Sequence, residues 1–194
     1  MPSEDKTEIT DSGPFGTVDG GIHDNDSYEQ YNWLASDLAA IDRSVTPWVI
    51  VMSHRPMYST NTADYKENIQ GAFQSLLLQY EVDAYLSGHI HWYERLYPMN
   101  ADGEADMDSV INDNTYMTNP GTSITHIING MAGNIESHTV LSSGESQTSY
   151  TAVLDQVNYG FNKLTVYNST AILFEFIAGD NGSVGDYLWL LKSS

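Results

Sequence analysis

Two stretches decide how this chain is read: Trp48-Val-Ile-Val-Met-Ser-His54 and Val82-Asp-Ala-Tyr-Leu-Ser-Gly-His-Ile-His91. Each begins with a short apolar run, WVIVM (48–52) or VDAYL (82–86), and each ends in histidine. A short run of this kind suits a strand buried on both faces, as in a parallel sheet covered by helices. Between the two, residues 66–80 place Ile69, Phe73, Leu76, Leu77 and Tyr80 on one side of a helix. Strand, helix, strand at this spacing is a βαβ unit, which makes the sheet parallel. Both strands then end at the same sheet edge, where α/β proteins place their ligands. His54, His89 and His91 are therefore expected to enter one crevice. Gly88 is expected to give the turn its freedom, and a His-x-His run in extended chain carries both rings on one side. Neutral imidazole is a good ligand for iron, zinc and manganese-type ions.

Working outward, residues 1–25 are crowded with Asp, Ser, Gly and Thr and read as an irregular segment ahead of one domain, 26–194. A helix is expected from Asp26 or Ser27. Asp26 with Glu29 fits a capping box, and Tyr31, Leu34, Leu38 and Ile41 recur at helical spacing. The stretch 100–121 is polar and reads as loop. Beyond it SITHII (123–128), FNKLTVY (161–167) and TAILFEFIA (170–178) read as strands, so the fold class is α/β (α+β).

Composition narrows the function. Seven Lys and Arg stand against 26 Asp and Glu, a net charge of -19. Such a surface repels phosphate backbones and anionic lipid, so neither nucleic acid nor membrane is an expected partner. With no cysteine, disulfides, thiolate nucleophiles and thiolate metal sites are all excluded. No apolar run approaches the roughly 20 residues a membrane-spanning helix needs. Asn25, Asn168 and Asn181 each open an Asn-x-Ser/Thr sequon, which points weakly to a secreted or cell-wall glycoprotein. The segment MPSEDKTEIT has no charged-then-apolar leader, so any signal peptide is expected on an upstream part.

The flanks of the histidines carry a resemblance. VMSHRPMY (51–58) resembles the Val-x-x-His block of metallophosphoesterases, and GHIHWYER (88–95) their Gly-His-x-His block. With Tyr93-Glu94-Arg95 following, and with DRSVTPWVIVMSHRPMYST (42–60) around the first block, the chain resembles purple acid phosphatases in particular. The likeness is dense over 28–98 and looser over 120–178, where GNIESH (133–138) and YGFNKLTVYNST (159–170) fit. The resemblance implies part of a four-layer αββα sandwich holding a ferric ion beside a divalent one (iron, zinc or manganese). It implies that His54 and His89 bind the divalent ion and His91 the ferric ion, for hydrolysis of phosphate monoesters. Glu94 and Arg95 are expected to brace the histidine loop. Arg55 either meets phosphate or pairs with a carboxylate.

The chain departs from that pattern in two ways. The family's earlier blocks, Asp-x-Gly, Gly-Asp-x-x-Tyr and Gly-Asn-His-Glu, supply carboxylates, an asparagine and a tyrosinate, and none is present in order. Asp11-Ser12-Gly13 follows no apolar strand. Gly133-Asn134-Ile135-Glu136 lacks the histidine and lies downstream of GHIH. Three histidines without carboxylates are a poor home for two hard cations, so the chain alone is expected to be inactive and to need an upstream half of the same enzyme as partner. In addition, Ala63 and Asp64 stand where relatives often carry a substrate-facing histidine. Asp64 is the candidate catalytic acid. His23, His126 and His138 read as structural or exposed. The alternatives are a related metallophosphodiesterase, or a catalytically incomplete fragment that persists as a glycosylated acidic interaction module.

Overall fold

The computed structural model describes residues 24–60 and 66–193. Helix α1 (Asp24–Ala39) leads to strand β1 (Ile50–Ser53), helix α2 (Lys66–Gln79) and strand β2 (Ala84–Ser87). α1 begins two residues ahead of the expected cap, and the rest of the segment read as irregular lies outside the described residues. β1 and β2 pair in parallel with Ser53 opposite Ser87, so the strand–helix–strand unit stands as read. β7 (Ser123–Asn129) extends the parallel set beside β2. β3 (Tyr93–Leu96) then runs antiparallel between β7 and β8 (Thr151–Asp155), giving the order β1-β2-β7-β3-β8. β4 (Met99–Asn100) pairs with the start of β7.

A second sheet is built from β5 (Val110–Asn112), β6 (Thr115–Met117), β11 (Val184–Leu191), β10 (Ala171–Ala178) and β9 (Gly160–Asn168), in that order. β10 alternates strictly, with Ile172, Phe174, Phe176 and Ala178 turned inward. These pack with Tyr116, Leu188 and Leu190 against Ala84, Tyr93 and Ile127 of the first sheet. On the first sheet's other face lie both helices, through Leu38, Ile69, Phe73, Leu76 and Leu77 against Val49, Tyr85, Leu96 and Ile124. The described residues therefore form helix, sheet and sheet, three layers of the expected αββα sandwich. Each fully buried aliphatic or aromatic side chain in these clusters contributes roughly 1.5–3 kcal/mol.

The stretch 100–121, read as loop, holds β5, β6 and a turn of 3-10 helix at Met107–Ser109. Three-residue strands are too short to show a period. β3 escaped for a different reason: its sequence is Tyr-Glu-Arg-Leu, and all four residues are buried.

Two charges inside one strand persist only because each is fully met. Glu94 accepts from Ser59 Oγ (2.8 Å), the Thr60 N–H (2.9 Å), Trp92 Nε1 (3.1 Å) and Thr151 Oγ1 (2.7 Å). On the opposite face of β3, Arg95 grips Asp186 of β11 with both arms, Nε to Oδ2 at 2.7 Å and Nη2 to Oδ1 at 3.1 Å. Tyr93 donates to the same carboxylate at 2.7 Å, and Arg95 also donates to the Asp113 carbonyl and to Tyr116 Oη. Burial alone would lower the Arg95 pKa, but the bond and charge of Asp186 outweigh it and the guanidinium ends above its usual range. Burial and the Asp186 charge hold the Tyr93 phenol well above its ordinary value.

His126 is a core residue of β7, its ring centroid 5.2 Å from that of Tyr58 and 5.4 Å from that of Tyr85. Burial lowers its pKa to about 3, so it stays neutral in the fold. Below the ordinary imidazole value of about 6.5, the unfolded chain takes up a proton that the folded chain refuses, and stability falls as pH drops. This residue alone is expected to cost roughly 3 kcal/mol by about pH 4. Urea midpoints measured from neutral to acid pH should therefore fall less steeply for His126→Leu than for the parent, and parallel slopes would refute the assignment. Replacing Glu94 by Gln sets an amide donor among four donors and should lower stability by roughly 2 kcal/mol. An unchanged urea midpoint would show that the network is not needed.

Candidate metal centre

His54 follows β1 directly, and His89 lies two residues beyond the end of β2. Because β1 and β2 are paired neighbours of the same direction, the two loops emerge side by side. The Gly88 N–H donates to the His54 carbonyl at 3.0 Å and fastens them together. The rings meet edge to face with centroids 4.9 Å apart, His89 Nδ1 3.0 Å from His54 Nε2.

The turn that makes this possible is not where the sequence suggested. Gly88 does not take a positive φ, and a Cβ there would meet only carbonyl oxygens at 3.7 and 3.8 Å. It is His89 that adopts the left-handed conformation, with φ 64°. For a residue carrying a Cβ this costs of order 1–3 kcal/mol, sustained only where the surroundings dictate it. Beyond it the chain stays tight, the Ile90 N–H bonding the Gly88 carbonyl and the Trp92 N–H the Ile90 carbonyl, each at 2.8 Å. The His-x-His run is thus bent rather than extended. It still alternates: Ile90 and Trp92 are buried, while His89 and His91 are half-exposed.

The ring of His91 takes a different partner. Its Nε2 lies 3.6 Å from Oε2 of Glu136. Two of the three expected histidines are therefore in contact, and the third is engaged with a carboxylate from the loop after β7. Within that loop Asn134 Oδ1 accepts the Glu136 N–H at 3.0 Å, and Asn134 Nδ2 donates to the Gly130 carbonyl at 3.1 Å. Glu136 was set aside in the sequence because its block stands out of order. Nothing along the chain announces that β7 brings residue 136 back to residue 91.

Asp64 and Ala63 lie outside the described residues, as does His23. Arg55 is half-buried beside His54, and its carbonyl accepts Tyr85 Oη at 2.7 Å. His138 stacks edge-on to Tyr159 at 4.4 Å. A crevice of about 560 Å³ opens on the same side of the fold, lined by Ala132, Gly133, Tyr159, Phe161 and Asp180.

Two imidazoles that share an ion at about 2.1 Å and at right angles set their nitrogens about 3 Å apart. His54 and His89 stand at that spacing. Among the described residues, no three His, Asp, Glu or Cys side chains converge closely enough to hold an ion by themselves. The described residues fit a metal as two nitrogen donors of a larger set, rather than as a finished site.

Residues 2–93 match the model of the calcineurin-like phosphoesterases, and residues 123–187 that of the iron/zinc purple acid phosphatase-like protein C. An acid phosphatase of Aspergillus ficuum is 62% identical over all of this chain, which spans 32% of that protein. A probable inactive purple acid phosphatase 27 of Arabidopsis thaliana is 32% identical over 99% of the chain and 32% of its own length. The purple acid phosphatase from yellow lupin (Lupinus luteus) seeds superposes on 85% of the chain and 28% of its own, with a TM-score of 0.72 at 26% identity. The chain spans about a third of the length of the curated relatives it matches. Fold, motif flanks and relatives agree that this chain belongs to the purple acid phosphatase family of calcineurin-like phosphoesterases.

Proposed function

We propose that this chain contributes three histidines, His54, His89 and His91, to an acid phosphatase that hydrolyses phosphate monoesters at a centre of one ferric and one divalent ion (iron, zinc or manganese). The observation that carries the reading is the contact of His54 Nε2 with His89 Nδ1 at 3.0 Å, at the ends of adjacent parallel strands. In this reading His54 and His89 hold the divalent ion and His91 the ferric one. Such a pair of cations supplies Lewis acidity toward the phosphate and makes water nucleophilic in acid, where an ordinary base would be protonated.

The chain's own residues do the positioning. His54 and His89 must both be neutral with their facing nitrogens unprotonated, so the proton between them leaves when an ion enters. The Gly88–His54 bond and the left-handed backbone of His89 hold the two rings in place beforehand. Glu94 joins the segment after His54 to the strand after His91 and keeps the two histidine loops in register. Asp64 is the substrate-facing acid in this reading. The remaining ligands come from an upstream part of the same protein, consistent with relatives about three times as long. A secreted glycoprotein fits the exposed sequons at Asn168 and Asn181, each on a turn between strands of the second sheet. Thr170 Oγ1 bonds Asn168 Oδ1 at 3.0 Å there.

A second reading, a catalytically silent member serving as an interaction module, is favoured by one observation: no three ligands converge among the described residues. Metal analysis separates the two. The chain produced together with its upstream part should retain two metal equivalents and hydrolyse p-nitrophenyl phosphate in acid. His54→Ala and His89→Ala should each lose metal and at least about 100-fold in activity. Retention of no metal gives the second reading. Activity confined to bis-p-nitrophenyl phosphate would make the protein a diesterase instead.

A further inference from the structure

The loop between β7 and β8 is built to deliver one carboxylate to His91. It leaves β7 at Gly130, where the chains pass so closely that a Cβ would lie 2.1 Å from the Ile90 carbonyl oxygen and 3.3 Å from the His91 Cα. Only glycine fits there. The loop is fastened again at its far end, where the Thr139 N–H donates to the His91 carbonyl at 2.9 Å and the His91 N–H donates to Thr139 Oγ1 at 3.2 Å. Both clasps grip the histidine loop itself, one on each side of the 131–138 excursion. Inside the excursion Asn134 caps the Glu136 N–H, and Ser137 takes a left-handed φ of 71° immediately after it. A non-glycine residue in that conformation is strained and reports a backbone held by its surroundings. The product of this construction is an exposed carboxylate, 74% accessible, with Oε2 3.6 Å from His91 Nε2. Among the described residues it is the imidazole–carboxylate approach of the histidine rim.

We propose that Glu136 is a metal-binding residue, an oxygen donor that this chain supplies beside His91 for a hard cation. The inference rests on the reading of His91 as a metal-binding residue and adds the ligand that a single imidazole lacks. A hard ion such as ferric iron or manganese favours carboxylate oxygen over nitrogen alone. A 3.6 Å separation of Oε2 and Nε2 lies near the roughly 3 Å edge that two ligands of one ion span. Because Glu136 is solvent-accessible and its side chain carries no buried packing, closing that gap takes only rotation of the side chain.

The experiment uses the chain itself, with zinc(II) as probe, following each histidine ring separately by ¹⁵N-edited NMR. In the parent, the His54 and His89 rings respond to zinc as one group and His91 as another. For Glu136→Gln, the response of His91 should require about tenfold more zinc or more, while that of His54 and His89 is unchanged. Glu136→Asp should recover part of the loss. A matching urea midpoint shows that each variant is folded. Equal zinc dependence of His91 in parent and Glu136→Gln would overturn the assignment of Glu136, as would a His91 that ignores zinc while His54 and His89 respond. Failure of His54 and His89 to respond at all would instead overturn the reading of the metal centre on which this inference stands.

Discussion

Two adjacent charges buried on opposite faces of one strand hold the molecule in the shape its site needs. Glu94 faces the helical side of the first sheet and gathers donors from Ser59, Thr60, Trp92 and Thr151. Arg95 faces the second sheet and binds Asp186 through two nitrogens. The first ties the segment downstream of His54 to the strand downstream of His91. The second fixes one sheet against the other. Neither group is tolerable alone in a core, because an unpaired buried charge costs several kcal/mol. That cost makes the arrangement specific: a slip of β3 by one residue would exchange the two faces and strand both charges. The spacing of the histidine loops is thereby set by a condition with one solution.

The conformational tension in this frame is found at the site and not elsewhere in it. Of the non-glycine residues with positive φ, His89 and Ser137 both border the rim where the histidines lie, and Glu81 ends the turn after α2. Strain of this kind survives because the parallel strands, the Gly88–His54 bond and the clasp between Thr139 and His91 leave the chain no cheaper route. The result is a pair of imidazoles already at metal-ligand spacing before any ion arrives, which removes an ordering cost from binding.

What could be seen in the sequence follows from the same physics. The βαβ unit was legible because β1, α2 and β2 each carry an uninterrupted periodic signal, and the topology then put His54 and His89 at one edge. The alternation of β10 was legible for the same reason. β3 was not, since a strand made buried by Glu94 and Arg95 contradicts every hydropathy pattern, and its partners Asp186 and Thr151 lie more than fifty residues away. β5 and β6 are too short to speak for themselves. The left-handed turn was placed on Gly88, the residue that adopts it at least cost, whereas the fold imposes it on His89. Glu136 went unseen because its meeting with His91 is made by strand pairing over some forty residues, and linear spacing carries no trace of that.

The division of donors within the chain has a chemical consequence. Parallel strands end in loops that share a direction, so β1 and β2 offer nitrogens to one point, and those nitrogens serve borderline ions well. Hard cations need oxygen, and in this chain the carboxylates of the described core, Asp83, Glu94 and Asp186, are all committed to structural pairs. A net charge of -19 draws cations to the surface but does not choose among them. Choice requires an oxygen held at a fixed place next to a fixed nitrogen. Within the described rim that condition can be met only by a carboxylate outside the core, on a segment anchored to the histidine loop from both ends, since a freely moving side chain would bind any ion weakly and none selectively.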